Sequence, residues 1–194
     1  MAVPPFILDL RAKIGHDPLW LPGITFVILR WAEGEPCDNG EADRTTGTTA
    51  ATSESRVEVL LVQRSDNGQW TPITGIVDPG EEPATAAVRE AWEEASVRAS
   101  IRALQRVQVV GPVVYDNGDV TSYVDTAFWG TLAADFDGHA AVGDDESIAV
   151  AWTDTATVDS LEPPMNPRFV HLIADAVRDF RSGTISPAAW GPHT

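Results

Sequence analysis

The chain has 194 residues, 43% of them hydrophobic, and a net charge of −16 from 29 acidic and 13 basic side chains. That size suits one domain with a substantial core, and with Lys13 as its single lysine the chain lacks the clustered positive charge that follows nucleic-acid phosphates, which leaves small ligands favoured. Cys37 is the only cysteine, which excludes an internal disulfide or thiolate cluster, and no stretch has the length and apolarity of a membrane span or secretory leader, so a cytoplasmic location is expected.

From the N-terminus, ILDLRAKI (7–14) spaces its apolar residues as a short amphipathic helix stopped by Gly15. ITFVILRW (24–31) is rich in β-branched and aromatic residues, and its continuous apolar run predicts a central strand. Residues 33–56 turn polar and threonine-rich without hydrophobic period, and read as a flexible loop insertion. VEVLLVQR (57–64) resumes the strand pattern and would form a hairpin with 24–31 if the insertion were cut out. Trp70, just before Gly75, reads as core or pocket wall. Pro83 opens a helix predicted over 83–95, with Glu81 and Glu82 ahead of its positive end. A strand pattern ending at Val110 is predicted to break at Gly111-Pro112, and a hairpin turn, DNGD (116–119), leads to a returning strand at 122–132. An acidic loop (136–145), a strand (147–152), a closing helix (166–180) and a tail complete the chain, with no internal repeat. Strands mixed with two substantial helices predict an α/β sandwich around a mixed sheet.

The chemistry concentrates in the 83–95 helix. At about 100° per residue, Glu90, Glu93 and Glu94 fall within one arc, and Val88, Ala91, Trp92 and Ala95 cluster on the other side, which predicts a packing face and a separate acidic face. Like charges at i,i+4 are destabilising by themselves. A hard divalent cation reverses that, and Mg²⁺ favours an open site of one or two carboxylates completed by substrate phosphate. Taken alone, three glutamates on a helix face are more often a solvated surface. The four histidines are isolated along the sequence, and no G-x-S-x-G, Walker phosphate loop or paired-cysteine motif competes.

The full stretch from 75 to 97, GIVDPGEEPATAAVREAWEEASV, resembles the signature of the Nudix (MutT-like) hydrolases. Gly75, Glu81, Arg89, Glu90, Glu93 and Glu94 occupy its glycine and charged positions, and Ala91 and Val97 its small and apolar slots. Ser96 departs from the pattern, standing where the family has glycine, at an expected cost of roughly 1 kcal/mol if the helix ends there in a left-handed turn.

The resemblance implies an α/β/α sandwich over 24–182, a lead-in at 1–23 and a tail at 183–194. It further implies a pyrophosphohydrolase that cleaves a nucleoside diphosphate linked to another group by attack of a metal-activated water on phosphorus. Glu93 and Glu94, then Glu90, are the implied ligands of Mg²⁺ or Mn²⁺, with Glu81 supporting and Arg89 fixing a carboxylate or loop. The base comes from the signature helix in some members and from a later acidic loop in others, for which Glu146 is preferred over Asp144 and Asp145, against the alternative of a solvated acidic turn. Pro112 and Tyr115 match positions associated with ADP-ribose and dinucleoside polyphosphate substrates. ADP-ribose-like compounds or nucleoside triphosphates are the favoured substrates, and Trp70, Tyr115 and Tyr123 are candidate base-stacking residues or packing. Many members are dimers, so a second copy of the chain is a candidate partner. A nucleotide sensor without turnover, or an interaction module on the same fold, is the competing expectation.

Overall fold

The computed structural model describes residues 3–33 and 55–190, so most of the expected 33–56 insertion lies outside the described residues. The elements are α1 (Pro5–Ile14), β1 (Leu19–Trp31), β2 (Val57–Arg64), β3 (Trp70–Thr71), β4 (Ile73–Ile76), α2 (Pro83–Ala95), β5 (Ala99–Val114), β6 (Val120–Leu132), β7 (Ser147–Asp154), a 3₁₀ turn at Val158–Ser160, α3 (Pro167–Ser182) and β8 (Ala189–Trp190). Strand order is β3-β2-β1-β6-β5-β8, with β4 paired to β1 and β7 to β2.

β1 is the axis of this sheet, running parallel to β6 and antiparallel to β2 and β4. Its apolar run from Phe26 to Leu29 has a direct cause, since both faces are covered. Ile24, Phe26 and Ile28 join the cluster under α2, whereas Val27 and Leu29 join the cluster under α3. The predicted β1–β2 hairpin forms, with Leu29 opposite Val59 and Trp31 opposite Val57.

Three expectations are corrected. β5 does not end at Gly111-Pro112. It continues to Val114 through a cis Gly-Pro peptide and a register shift between Val110 and Val113, which absorbs the proline's missing N–H in an irregular stretch of ladder. The tail also contributes structure, because Ala189–Trp190 pairs in parallel with Arg106–Val107 of β5. Third, the side of α2 that packs is only partly the one predicted by hydropathy. Ala86, Ala87, Ala91 and Ala95 are fully buried, whereas Val88 and Trp92 are exposed and Glu94 is buried. A row of alanines lets the helix approach the sheet closely, and that approach carries Glu94 inward with it.

The N-terminal lead-in is tied to the domain by Arg11, which donates to the Gly15, Asp17 and Val120 carbonyls and the Thr121 hydroxyl. At the end of α2, Ser96 adopts the left-handed conformation (φ 54°, ψ 31°) while its N–H bonds back to the Trp92 carbonyl. Ser96→Gly is therefore expected to stabilise the fold by about 0.5–1 kcal/mol. Chemical denaturation would check this, and a destabilised variant would refute it.

Candidate active site

Two tight backbone approaches build the site. Gly75 on β4 lies directly beneath Glu90, and a Cβ there would sit 2.2 Å from the Glu90 carboxyl carbon. At the other end of α2 the 140–146 loop caps the helix, with the Ala141 and Gly143 N–H groups donating to the Ala95 and Glu94 carbonyls. A Cβ on Gly143 would fall 2.1 Å from the Glu93 carbonyl, so only glycine permits that approach. The loop then delivers Asp144, which accepts from the Glu146 N–H, and Glu146, whose carbonyl accepts from the Ser65 N–H at 2.8 Å.

Arg89 organises the signature carboxylates. It donates from Nε and Nη2 to both Glu81 oxygens (3.0 and 2.9 Å) and from Nη1 to Glu90 (3.0 Å) and Glu93 (2.8 Å), and it also bonds the Ile76 carbonyl (3.2 Å). Those five contacts use all five guanidinium N–H groups. Arg89 holds Glu81 below the usual carboxylate range. Glu81 in turn anchors the loop before α2 by accepting from the Asp78 N–H. Glu81, Glu90 and Glu93 are thus gathered around one guanidinium.

Glu94 stands apart from this fork. It is 5% exposed and accepts from the Thr74 N–H at 3.3 Å. Burial pushes its pKa well up, and the charges of Glu90, Asp144 and Glu146 add to the effect. Burial likewise raises Glu90 to about 7 against the opposing pull of Arg89, with Glu93 and Glu146 adding repulsion. The charge of Glu146 thus reaches both Glu90 and Glu94.

The other candidates divide. Trp70 packs with the cluster beneath α3, on the face of the sheet opposite α2. Tyr115 and Tyr123 come together, their hydroxyls 2.5 Å apart, and burial raises the Tyr123 pKa. Arg64 is the residue that sequence reading passed over. It sits at the end of β2, and its charge is felt by Glu94 and Tyr115 together.

A donor set of buried, mutually repelling carboxylates has the chemistry of a hard-cation site. Among the described residues no three metal-binding side chains already close around one point, and Arg89 holds Glu90 and Glu93. The residues thus fit an open site, completed by substrate and water oxygens, better than a closed cage.

A sequence model of the NUDIX domain family matches residues 43–176, more than half of the chain. The chain belongs to the Nudix family. A mouse relative, bis(5'-nucleosyl)-tetraphosphatase [asymmetrical], is 49% identical over 47 residues, which are 24% of this chain and 32% of the relative. The matched stretch thus spans about a third of the curated relatives' length. Among solved structures, a C. elegans Ap4A hydrolase binary complex aligns over 84% of this chain and 98% of its own (TM-score 0.56, 20% identity). The NUDIX domain of Shewanella oneidensis NrtR complexed with ADP ribose aligns over 93% and 99% (TM-score 0.57, 17% identity). Both share the Nudix α/β/α fold with this chain.

The raised carboxyls make a pH prediction. A carboxyl whose folded pKa is raised binds more protons folded than unfolded, so stability falls as pH climbs from the ordinary 4.5 through about 7. Glu81 and Asp66, which are depressed, have delivered their stabilisation by pH 4.5 to 5 and do not mask this. The metal-free protein is expected to melt about 5 °C lower at pH 8 than at pH 5, with Mg²⁺ restoring more at pH 8 because it competes with protons for the same oxygens. Calorimetry at the two pH values checks this, and a metal-free Tm that rises across the window would contradict it.

Proposed function

We propose that this Nudix chain is a divalent-cation-dependent hydrolase of the pyrophosphate bond in a nucleoside diphosphate linked to another group. The observation that carries the reading is the burial of Glu94 and Glu90 on one helix, with the charge of Glu146 raising both pKa values and that of Asp144 raising Glu94 further. Structural helices have little use for such a cluster, whose like charges repel in a poorly solvated place. A bound divalent cation reverses the sign of that energy.

Glu90, Glu93 and Glu94 would hold the cation, with Mg²⁺ as the expected ion and Mn²⁺ as a substitute, and Glu81 supports them through Arg89. When bound, the cation neutralises phosphate oxygens and makes a water more acidic. Glu146 is the assigned base, since its charge reaches both helix carboxylates and its backbone is pinned to Ser65. It would accept the attacking water's proton as the new P–O bond forms and the bridging P–O bond breaks. Arg89 sets carboxylate geometry and, with its donors filled, does not need to touch substrate.

Dinucleoside polyphosphates, ADP-ribose and nucleoside triphosphates form the substrate panel, the first supported by the mouse relative and the second by the ADP-ribose named with the Shewanella domain. Hydrolysis of at least one with Mg²⁺, abolished by EDTA and by the Glu93→Gln/Glu94→Gln double variant, is the expected result. Metal-independent turnover, or turnover unaffected by the double variant, would sink the proposal. Tight binding without product release would favour the nucleotide-sensor reading.

A further inference from the structure

Among cations whose charge reaches the carboxylate cluster, Arg89 has no donor to spare. Arg64 has several. Asp66 takes Nε at 2.9 Å and one Nη2 hydrogen at 2.6 Å, and Nη1 makes no hydrogen bond to the described residues. Three of its five N–H groups therefore remain for an incoming anion. The side chain is 21% exposed, so it is reachable yet confined, and the two-point grip of Asp66 fixes the plane of the fork.

Its backbone is equally well placed. Arg64 ends β2 opposite Ser147 of β7, and the next residue, Ser65, donates to the Glu146 carbonyl. Val62 and Leu60 of the same strand pack in the cluster beneath α2, the helix that carries the carboxylates, and the β2–β7 ladder shifts register between Gln63 and Arg64. The charge of Arg64 reaches Glu94 and the Tyr115 and Tyr123 hydroxyls. The pair ties the tip of the β5–β6 hairpin to β6.

We propose that Arg64, pre-oriented by Asp66, is the phosphate-binding cation of this site, gripping substrate phosphate between the carboxylates and the tyrosine pair. This rests on the pyrophosphohydrolase reading and narrows its substrate class. A phosphate at the carboxylates and another at Arg64 require an oligophosphate chain, with the nucleoside directed to the tyrosines. In a protein of net charge −16, attraction for such a polyanion has to be local. Arg64 supplies it without disturbing the Arg89 fork.

The test is steady-state kinetics with Mg²⁺ on wild type, Arg64→Ala, Arg64→Lys and Asp66→Asn, using a dinucleoside tetraphosphate and ADP-ribose. Arg64→Ala should raise KM about 10- to 100-fold with kcat changed less than about threefold, and more for the tetraphosphate than for ADP-ribose. Arg64→Lys should recover part of the loss, since it keeps the charge without the fork, and Asp66→Asn should raise KM by about three- to tenfold. Unchanged KM values in Arg64→Ala, or a fall in kcat alone, would overturn the assignment while leaving the hydrolase reading intact. If the wild type turns over none of the panel, the hydrolase reading fails, and calorimetric binding of ADP-ribose and of tripolyphosphate decides the inference separately. Binding at least tenfold weaker in Arg64→Ala upholds it, and equal binding, or none by the wild type, overturns it.

Discussion

Glu94→Gln is expected to lower hydrolysis by about 10³-fold or more while leaving the metal-free protein at least as stable as the wild type. Both halves follow from where the side chain sits. Glu94 is nearly inaccessible, and its one hydrogen bond among the described residues, from the Thr74 N–H, needs only an oxygen acceptor that glutamine also offers. What glutamine removes is the charge, which burial and the carboxylates of Glu90, Asp144 and Glu146 all disfavour. A residue retained against such an electrostatic cost in the metal-free fold is explained by what it does when a cation arrives. Product release and thermal melting without metal, measured on one preparation, check the prediction. Activity within tenfold of wild type, or a Tm lower by more than about 5 °C, would contradict it.

Gly75→Ala carries the second large effect, and it is a steric one. The added methyl would meet the Glu90 carboxyl carbon and one of its oxygens at 2.2 Å, a separation no real contact sustains. Gly75 lies in β4 with a φ that other residues tolerate, since the positive-φ glycines among the described residues do not include it. The clash must therefore be relieved by expelling Glu90 from beside Arg89. Expected results are a hydrolysis rate down about 100-fold, loss of Mg²⁺-induced stabilisation and a fold destabilised by about 1–3 kcal/mol. Adding Glu90→Ala should return most of the lost stability, because the methyl then has room, and additivity of the two changes would refute the steric account.

Much of this arrangement was legible in the order of residue types. The 83–95 helix was bounded by a proline tolerated at its first turn and by the left-handed Ser96 where glycine is usual, and its signature carboxylates lie at spacings that a helix converts directly into neighbours. The central strand announced itself because a segment covered on both faces has no polar positions to interrupt it, as Phe26, Val27, Ile28 and Leu29 show. Hydropathy misled where small size mattered more. Trp92 and Val88 looked like the packing side of α2, yet alanines make that contact, and a glutamate accompanies them into the interior. Gly111-Pro112 misled in the other direction, since a strand at an irregular stretch of ladder absorbs a proline that a regular one could not.

Arg64 and Gly143 illustrate what sequence pattern does not contain. Each lies far along the chain from α2, and nothing in its local spacing ties it to Glu93 or Glu94. Only β2–β7 pairing and the capping of α2 by the 140–146 loop bring them there. Periodicity and spacing are local, so the sequence by itself determined the family, the helix, its carboxylates and the strand at the centre of the sheet. The tertiary structure decided which of those carboxylates is buried, that Arg89 is fully committed to Glu81, Glu90, Glu93 and the Ile76 carbonyl and that Arg64 keeps donors to spare, because burial and donor count depend on neighbours that the chain supplies from elsewhere.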